Sequence, residues 1–111
     1  MLIKDDDCLA NILDSIEKIE DYIDSINHSE ELNNDSKTID AVLMNFIVIG
    51  EMAGKLSEDF KSNHIEIEWW KIKGLRNIVA HNYFGVDIEE IWQIIEKWLP
   101  KLKLYIQNLN K

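Results

Sequence analysis

A chain of 111 residues is long enough for one domain with a real core and too short for two comfortable ones. Hydrophobic content of 46% with one proline and four glycines excludes a disordered or fibrous chain and argues for a helix-rich globule. The net charge of −9 opposes wrapping nucleic acid, no apolar run approaches the roughly 20 residues that cross a bilayer, and "MLIKDDDC" lacks a signal peptide's basic start, so one soluble, cytoplasmic domain over 1–111 is expected.

Leu9, Ile12, Leu13, Ile16, Ile19, Ile23 and Ile26 recur at three- and four-residue spacing, the buried stripe of a first helix of roughly 20 residues. Asp5, Asp6 and Asp7 open that helix and complement its N-terminal dipole rather than marking a metal site. The lone Cys8, unable to form an internal disulfide, falls among its apolar positions as a small core residue. The polar stretch "NHSEELNNDSK" then interrupts the periodicity and reads as a connection. A second helix is expected from Ser36 to Phe60, burying Ile39, Val42, Leu43, Phe46, Ile47, Gly50, Ala53 and Leu56. Gly50 and Gly54 allow another helix to approach closely, and each otherwise costs about 1 kcal/mol against alanine.

"KSNHIEIEWW" reads as the next connection, and His64 in it, like His28 in the earlier one, reads as solvated. Trp69 and Trp70 start a third helix that runs through "LRNIVAHNYFG", with Gly85 placed to cap it in the left-handed conformation. Asp87 with Glu90 resembles a capping box for a fourth helix that buries Ile88, Ile91, Trp92, Ile95 and Leu99. Pro100 either ends that helix or begins another, and Leu102, Tyr105, Ile106 and Leu109 fit a short last one. No segment alternates as a strand does. The expected fold is all-α, an up-and-down four-helix bundle with a short fifth C-terminal helix.

Charge is unevenly spread. Residues 1–68 carry five lysines against 17 acids, whereas residues 69–111 carry six lysines and Arg76 against four acids. Such asymmetry fits either a local anion-binding surface or simply solvated lysines. The basic part contains "LRNIVAHNYFG", with the only arginine of the chain, Arg76, followed by His81 and Tyr83. On a helix turning about 100° per residue, Arg76 and Tyr83 lie nearly on one line, Asn77 and His81 are neighbours, and Arg76 and His81 stand about 140° apart. Serving one phosphate therefore requires the helix to loosen near His81, or a second copy of the chain to complete the site across a two-fold axis.

An arginine fork offers paired donors to phosphate oxygens, and an imidazole takes or gives a proton near neutral pH. Two of each in one cleft suffice for RNA cleavage through the 2′-hydroxyl without a metal or other cofactor. The bland alternative is that these polar groups only cap a helix and hold a loop.

"GLRNIVAHNYFGVD" resembles the R-x4-H-x-Y motif of the HEPN superfamily, in its HepT-like branch. "AVLMNFIVIGEMAGKLS", "IEWWKIKGLRN" and "IWQIIEKWLPKL" resemble three further blocks of that family in the same order, with Glu68 where the family is expected to carry proline. The resemblance implies a homodimeric bundle and a metal-independent endoribonuclease toxin acting on tRNA or mRNA. It also implies a partner antitoxin, a minimal nucleotidyltransferase of the MntA type, that silences the toxin by moving AMP from ATP onto Tyr83. Carried over position by position, Arg76 and His81 are catalytic, Asn77 is supporting and Tyr83 is the modification site; Glu51, in "IGE", is placed to orient a motif residue. The alternative is a catalytically silent dimer that binds nucleotide or RNA as partner of the nucleotidyltransferase.

Overall fold

The computed structural model describes residues 4–82, 85 and 87–109. Its described residues are mostly helical, with no strand among them. The two longest helices are α1 (Asp5–Tyr22) and α3 (Ser36–Lys55). They run antiparallel, because Asp5 at the start of α1 accepts from the backbone N–H of Ser57 (2.8 Å) and its hydroxyl (2.6 Å), just past the end of α3. These two bonds hold the Asp5 carboxyl below the usual carboxylate range, the hydroxyl contributing most. Cys8 is fully buried in the core, as its apolar position predicts.

Three connections are more structured than periodicity suggests. "NHSEELNNDSK" contains α2 (Ser29–Asn33), whose Leu32 is fully buried and whose Ser29 hydroxyl bonds to Glu89 on α7 (Ile88–Gln93). One apolar residue in five cannot display a period, yet it suffices to dock a single turn. The second helix stops at Lys55, short of the expected Phe60: Leu56 turns extended, and the Ser57 hydroxyl accepts from Phe60 N–H to cap α4 (Glu58–Asn63). The third rod is likewise two pieces, α5 (Trp69–Lys73) and α6 (Leu75–Asn82), joined at Gly74. Gly85 lies beyond α6, and the cap expected of it involves residues 83, 84 and 86, which fall outside the described residues. Ile23 and Ile26 follow α1 as partly buried residues, and Ile47 is also only partly buried.

Asp87 accepts from Glu90 N–H, as a capping residue should, and starts the fourth rod. This rod does not break at Pro100. A π-helical turn at Ile94–Trp98 leads directly into α8 (Leu99–Leu109), with Leu99 N–H bonding to Ile94 C=O five residues back. A proline ring clashes with the carbonyl four residues earlier in a tight α-helix, and the wider turn lets Pro100 be accommodated without ending the rod.

Gly50 and Gly54 of α3 lie against Arg76 and Lys73 in reverse order, so the α5–α6 rod is antiparallel to α3. α7 meets α2 at the end of α1, while Tyr105 of α8 meets His64 near its beginning. The result is an up-and-down bundle of four rods, the last containing the expected fourth and fifth helices. Phe46, Ile12, Ile16, Ile49, Leu75 and Ile91 form its dry centre, each fully buried side chain contributing about 1.5–3 kcal/mol of transfer free energy. No helix among the described residues is long and apolar enough to cross a membrane.

Candidate functional site

The apolar pattern of α6 fixes what it shows to solvent. Leu75 and Val79 are buried and Ile78 partly so, which turns Arg76, Asn77 and His81 outward. At the α5–α6 junction the backbone passes so close to α3 that a Cβ built on Gly50 would stand 3.1 Å from both Arg76 N and Lys73 O. Glycine at position 50 thereby seats Arg76 directly over α3. The adjacent Glu51 then receives it: Arg76 Nη1 donates to Glu51 Oε1 at 2.6 Å, with the two side chains 68% and 38% exposed. The pair turns the guanidinium along the surface and leaves most of its donors open to an anion.

Below the pair is a groove of about 370 Å³ lined by Glu51, Lys55, Trp70, Lys73, Arg76 and Asn77, floored by Gly50, Gly54 and Gly74. Three cations face one carboxylate there, so the local field is positive in a chain of net charge −9. The structure thus brings together Arg76, Asn77 and Glu51. It does not bring His81 into the groove: α6 stays a regular α-helix through Asn82, and His81 stands exposed on another face of it. Tyr83 lies outside the described residues. Lys55, Lys73 and Trp70 were not singled out as site residues by sequence; the signal for Trp70 and Lys73 was a lysine–tryptophan cluster just ahead of Arg76, and Lys55 follows Gly54 at the end of α3.

His64 is not the solvated residue that its polar surroundings suggest. Its ring packs on Phe60 at 4.2 Å and its Nδ1 meets the Tyr105 hydroxyl at 2.9 Å, while Trp69 Nε1 donates to its carbonyl. Tyr105 in turn donates to Glu66 at 2.5 Å. Burial, and then the carboxylate, push the Tyr105 hydroxyl up to about 12, whereas that hydrogen bond holds Glu66 below its usual range. This cluster staples α4 and the following loop to α8, at a distance from the motif. Among the described residues, no group of three or more His, Cys, Asp or Glu is arranged to hold a metal ion.

The described residues form an all-α bundle in which an arginine of α6 is held by an acid of α3 over a groove with a local excess of cations. Comparison with known proteins narrows this. The family described as Ribonuclease HepT-like matches residues 12–109, and the chain belongs to that family, the HepT-like branch of HEPN proteins. A probable ribonuclease HepT of Thermococcus cleftensis is 35% identical over 105 residues, covering 95% of this chain and 94% of its own. A candidate RNase of Methanocaldococcus jannaschii is 31% identical over 89% of this chain and 90% of its own. Another, from Caldanaerobacter subterraneus subsp. tengcongensis, is 29% identical over 91% and 89% respectively. No solved structure matches the chain significantly.

Proposed function

We propose that the protein is a metal-independent endoribonuclease acting as a homodimer, with Arg76 and His81 catalytic and Asn77 supporting. The observation that carries this reading is the seating of Arg76: an arginine held at 2.6 Å by Glu51 over a cationic groove, in a family of ribonucleases. Because α6 remains regular through His81, the angular separation of about 140° between Arg76 and His81 is retained, which favours completion of the cleft by a second copy. In that cleft one His81 imidazole removes the 2′-hydroxyl proton, and the freed oxygen attacks the adjacent phosphorus. The arginines stabilise the charge that builds on the phosphoryl oxygens. The second protomer's His81 protonates the departing 5′-oxygen, leaving a cyclic phosphate and a new 5′-hydroxyl end.

RNA digestion by the purified dimer in EDTA tests this, with tRNA and mRNA as substrates. Arg76→Ala and His81→Ala should each abolish cleavage; undiminished cleavage by both variants would assign the activity to a contaminant.

The biological reading is that of a toxin arrested by a partner nucleotidyltransferase of the MntA type, which transfers AMP to Tyr83. A nucleotide there would put bulk and negative charge beside Arg76 and His81 and repel RNA. Intact mass after co-expression with the partner should show whole AMP increments that vanish in Tyr83→Phe. The net charge of −9 favours one competing reading, a silent dimer that binds RNA or nucleotide for that partner. Single-turnover cleavage by wild type and not by the two alanine variants separates the readings.

A further inference from the structure

The groove beneath Arg76 does not end at Trp70. That side chain is 70% exposed, an indole face left in water beside a cationic surface. The Lys71 ammonium lies 5.5 Å from the Trp70 ring centre and 5.6 Å from that of Trp98, so one cation links the two indoles. Trp98 borders a second hollow of about 150 Å³, on whose rim stand Lys97 and Lys101. A continuous path therefore leads from the Arg76 groove past Trp70, Lys71 and Trp98 to two further lysines.

Three carboxylates line the same path, and each is engaged. Glu51 holds Arg76, Glu68 pairs with Lys71 at 3.2 Å, and Glu66 accepts from Tyr105. Lys55, Lys73, Lys97 and Lys101 have no ion-pair partner among the described residues. Indoles linked by Lys71 and flanked on both sides by unpaired lysines suit a polyanion whose units carry flat faces. A single RNA strand offers both; a duplex hides its base faces, and an acidic peptide has no regular rings to stack.

We propose that Trp70, Lys71, Trp98, Lys97 and Lys101 form a track that binds single-stranded RNA outside the cleavage groove, the bases stacking on the indoles that Lys71 links and the phosphates on Lys97 and Lys101. The track rests on the ribonuclease reading for its ligand class and sets a preference for unpaired RNA extending beyond the cut. Its position on α5, the π-helical turn and α8 explains how a chain of net charge −9 engages RNA: the cations are gathered on one strip while the acids there are spent on internal partners.

Binding is read by fluorescence anisotropy with 2′-O-methyl oligouridylates of about 4 and about 12 nucleotides, which cannot be cleaved through the 2′-oxygen. Wild type should bind the longer strand at least about tenfold more tightly, and stacking should quench tryptophan emission. Trp70→Ala and the double variant Lys97→Glu/Lys101→Glu should each lose most of that length advantage. The double variant should also show a shallower salt dependence, by about 0.7 in logarithmic slope per lost phosphate contact. All three substituted side chains are exposed, and a thermal melt by circular dichroism confirms that the variants fold. Wild-type length advantage and salt slope in both variants would overturn the track. So would loss of self-association in Trp70→Ala with RNA binding intact, which would make the strip a protein interface. Failure of the ribonuclease reading shows separately, as an unmodified oligouridylate that wild type binds and does not cut.

Discussion

The Arg76–Glu51 pair is worth more as a direction than as an energy. Exposed ion pairs stabilise a fold by about 0–1 kcal/mol, since water screens them and long side chains lose freedom in making them. Glu51→Ala should therefore shift urea stability by less than about 1 kcal/mol, while the released guanidinium loses its aim and kcat/KM for RNA falls by about tenfold. Glu51→Gln keeps an acceptor for Arg76 and should restore most of the activity; equal activity in all three proteins would remove Glu51 from the site. The sequence made half of this legible, since a lone arginine among 11 lysines and the "IGE" core mark both partners. Helical periodicity tells which face a residue occupies and not how one helix is rotated against another, so the pairing itself waited for the fold. The His64–Tyr105–Glu66 chain was illegible for the same reason, Tyr105 lying about 40 residues from the other two. Its pH signature follows from the shifts. Tyr105 keeps its proton up to about 12 in the native state against 10.0 unfolded, so this stabilisation is complete below pH 10 and disappears as pH rises towards 12. Glu66, lowered from 4.5, acts in the opposite direction: its contribution is present above that value and is lost on acidification. Tyr105→Phe should cost about 1 kcal/mol at pH 8 and flatten the alkaline loss between pH 10 and 12, as followed by urea midpoints.

Two glycines on α3 separate at the level of the element. Alanine in a helix interior is favoured over glycine by about 1 kcal/mol, so the question at each position is what the added methyl meets. At Gly54 it meets the aliphatic stem of Lys73 at 3.6 Å or more, an ordinary contact, and Gly54→Ala should stabilise by about 0.5–1 kcal/mol. At Gly50 it meets backbone atoms of the α5–α6 junction at 3.1 Å, and a backbone held by two helices yields less readily than a side chain. Gly50→Ala should destabilise by about 1–2 kcal/mol and lower RNA cleavage by displacing Arg76; thermal melts of the two variants moving in opposite directions would confirm the distinction. The close approach was legible from the four-residue glycine spacing, although only one of the two positions requires it. The α2 and α4 turns were harder to find. Ser57-Glu58-Asp59 does carry a helix-start signature, but Leu56 and Phe60 continue the apolar spacing of α3 across it. Pro100 left its outcome open in sequence, since a π-helical turn answers a proline without the break that proline usually forces.

At the scale of the whole molecule the geometry of α6 sets what a complete site requires. Fold class and rod direction were readable from the apolar stripes, because four amphipathic segments with short links have few ways to bury their faces. A complete site was not, because Arg76 and His81 diverge on a helix that stays regular to Asn82. In the proposed chemistry a single chain would thus offer its phosphate fork on one face and its proton carrier on another. Two chains related by a two-fold axis supply two of each, and the proposed chemistry uses both histidines, one as base and one as acid. This arrangement predicts how a defective copy poisons an assembly. When wild type and His81→Ala are mixed, equilibrated by subunit exchange and assayed at constant total protein, only wild-type pairs retain both imidazoles. Activity should then follow the square of the wild-type fraction, falling to about one quarter at equal mixing. A straight-line fall to about one half would mean that each chain cleaves by itself, and the divergence of Arg76 and His81 would then have to be bridged within one protomer. Sedimentation velocity on the same mixtures fixes the fraction of paired chains, so dissociation on dilution is kept apart from loss of the second histidine.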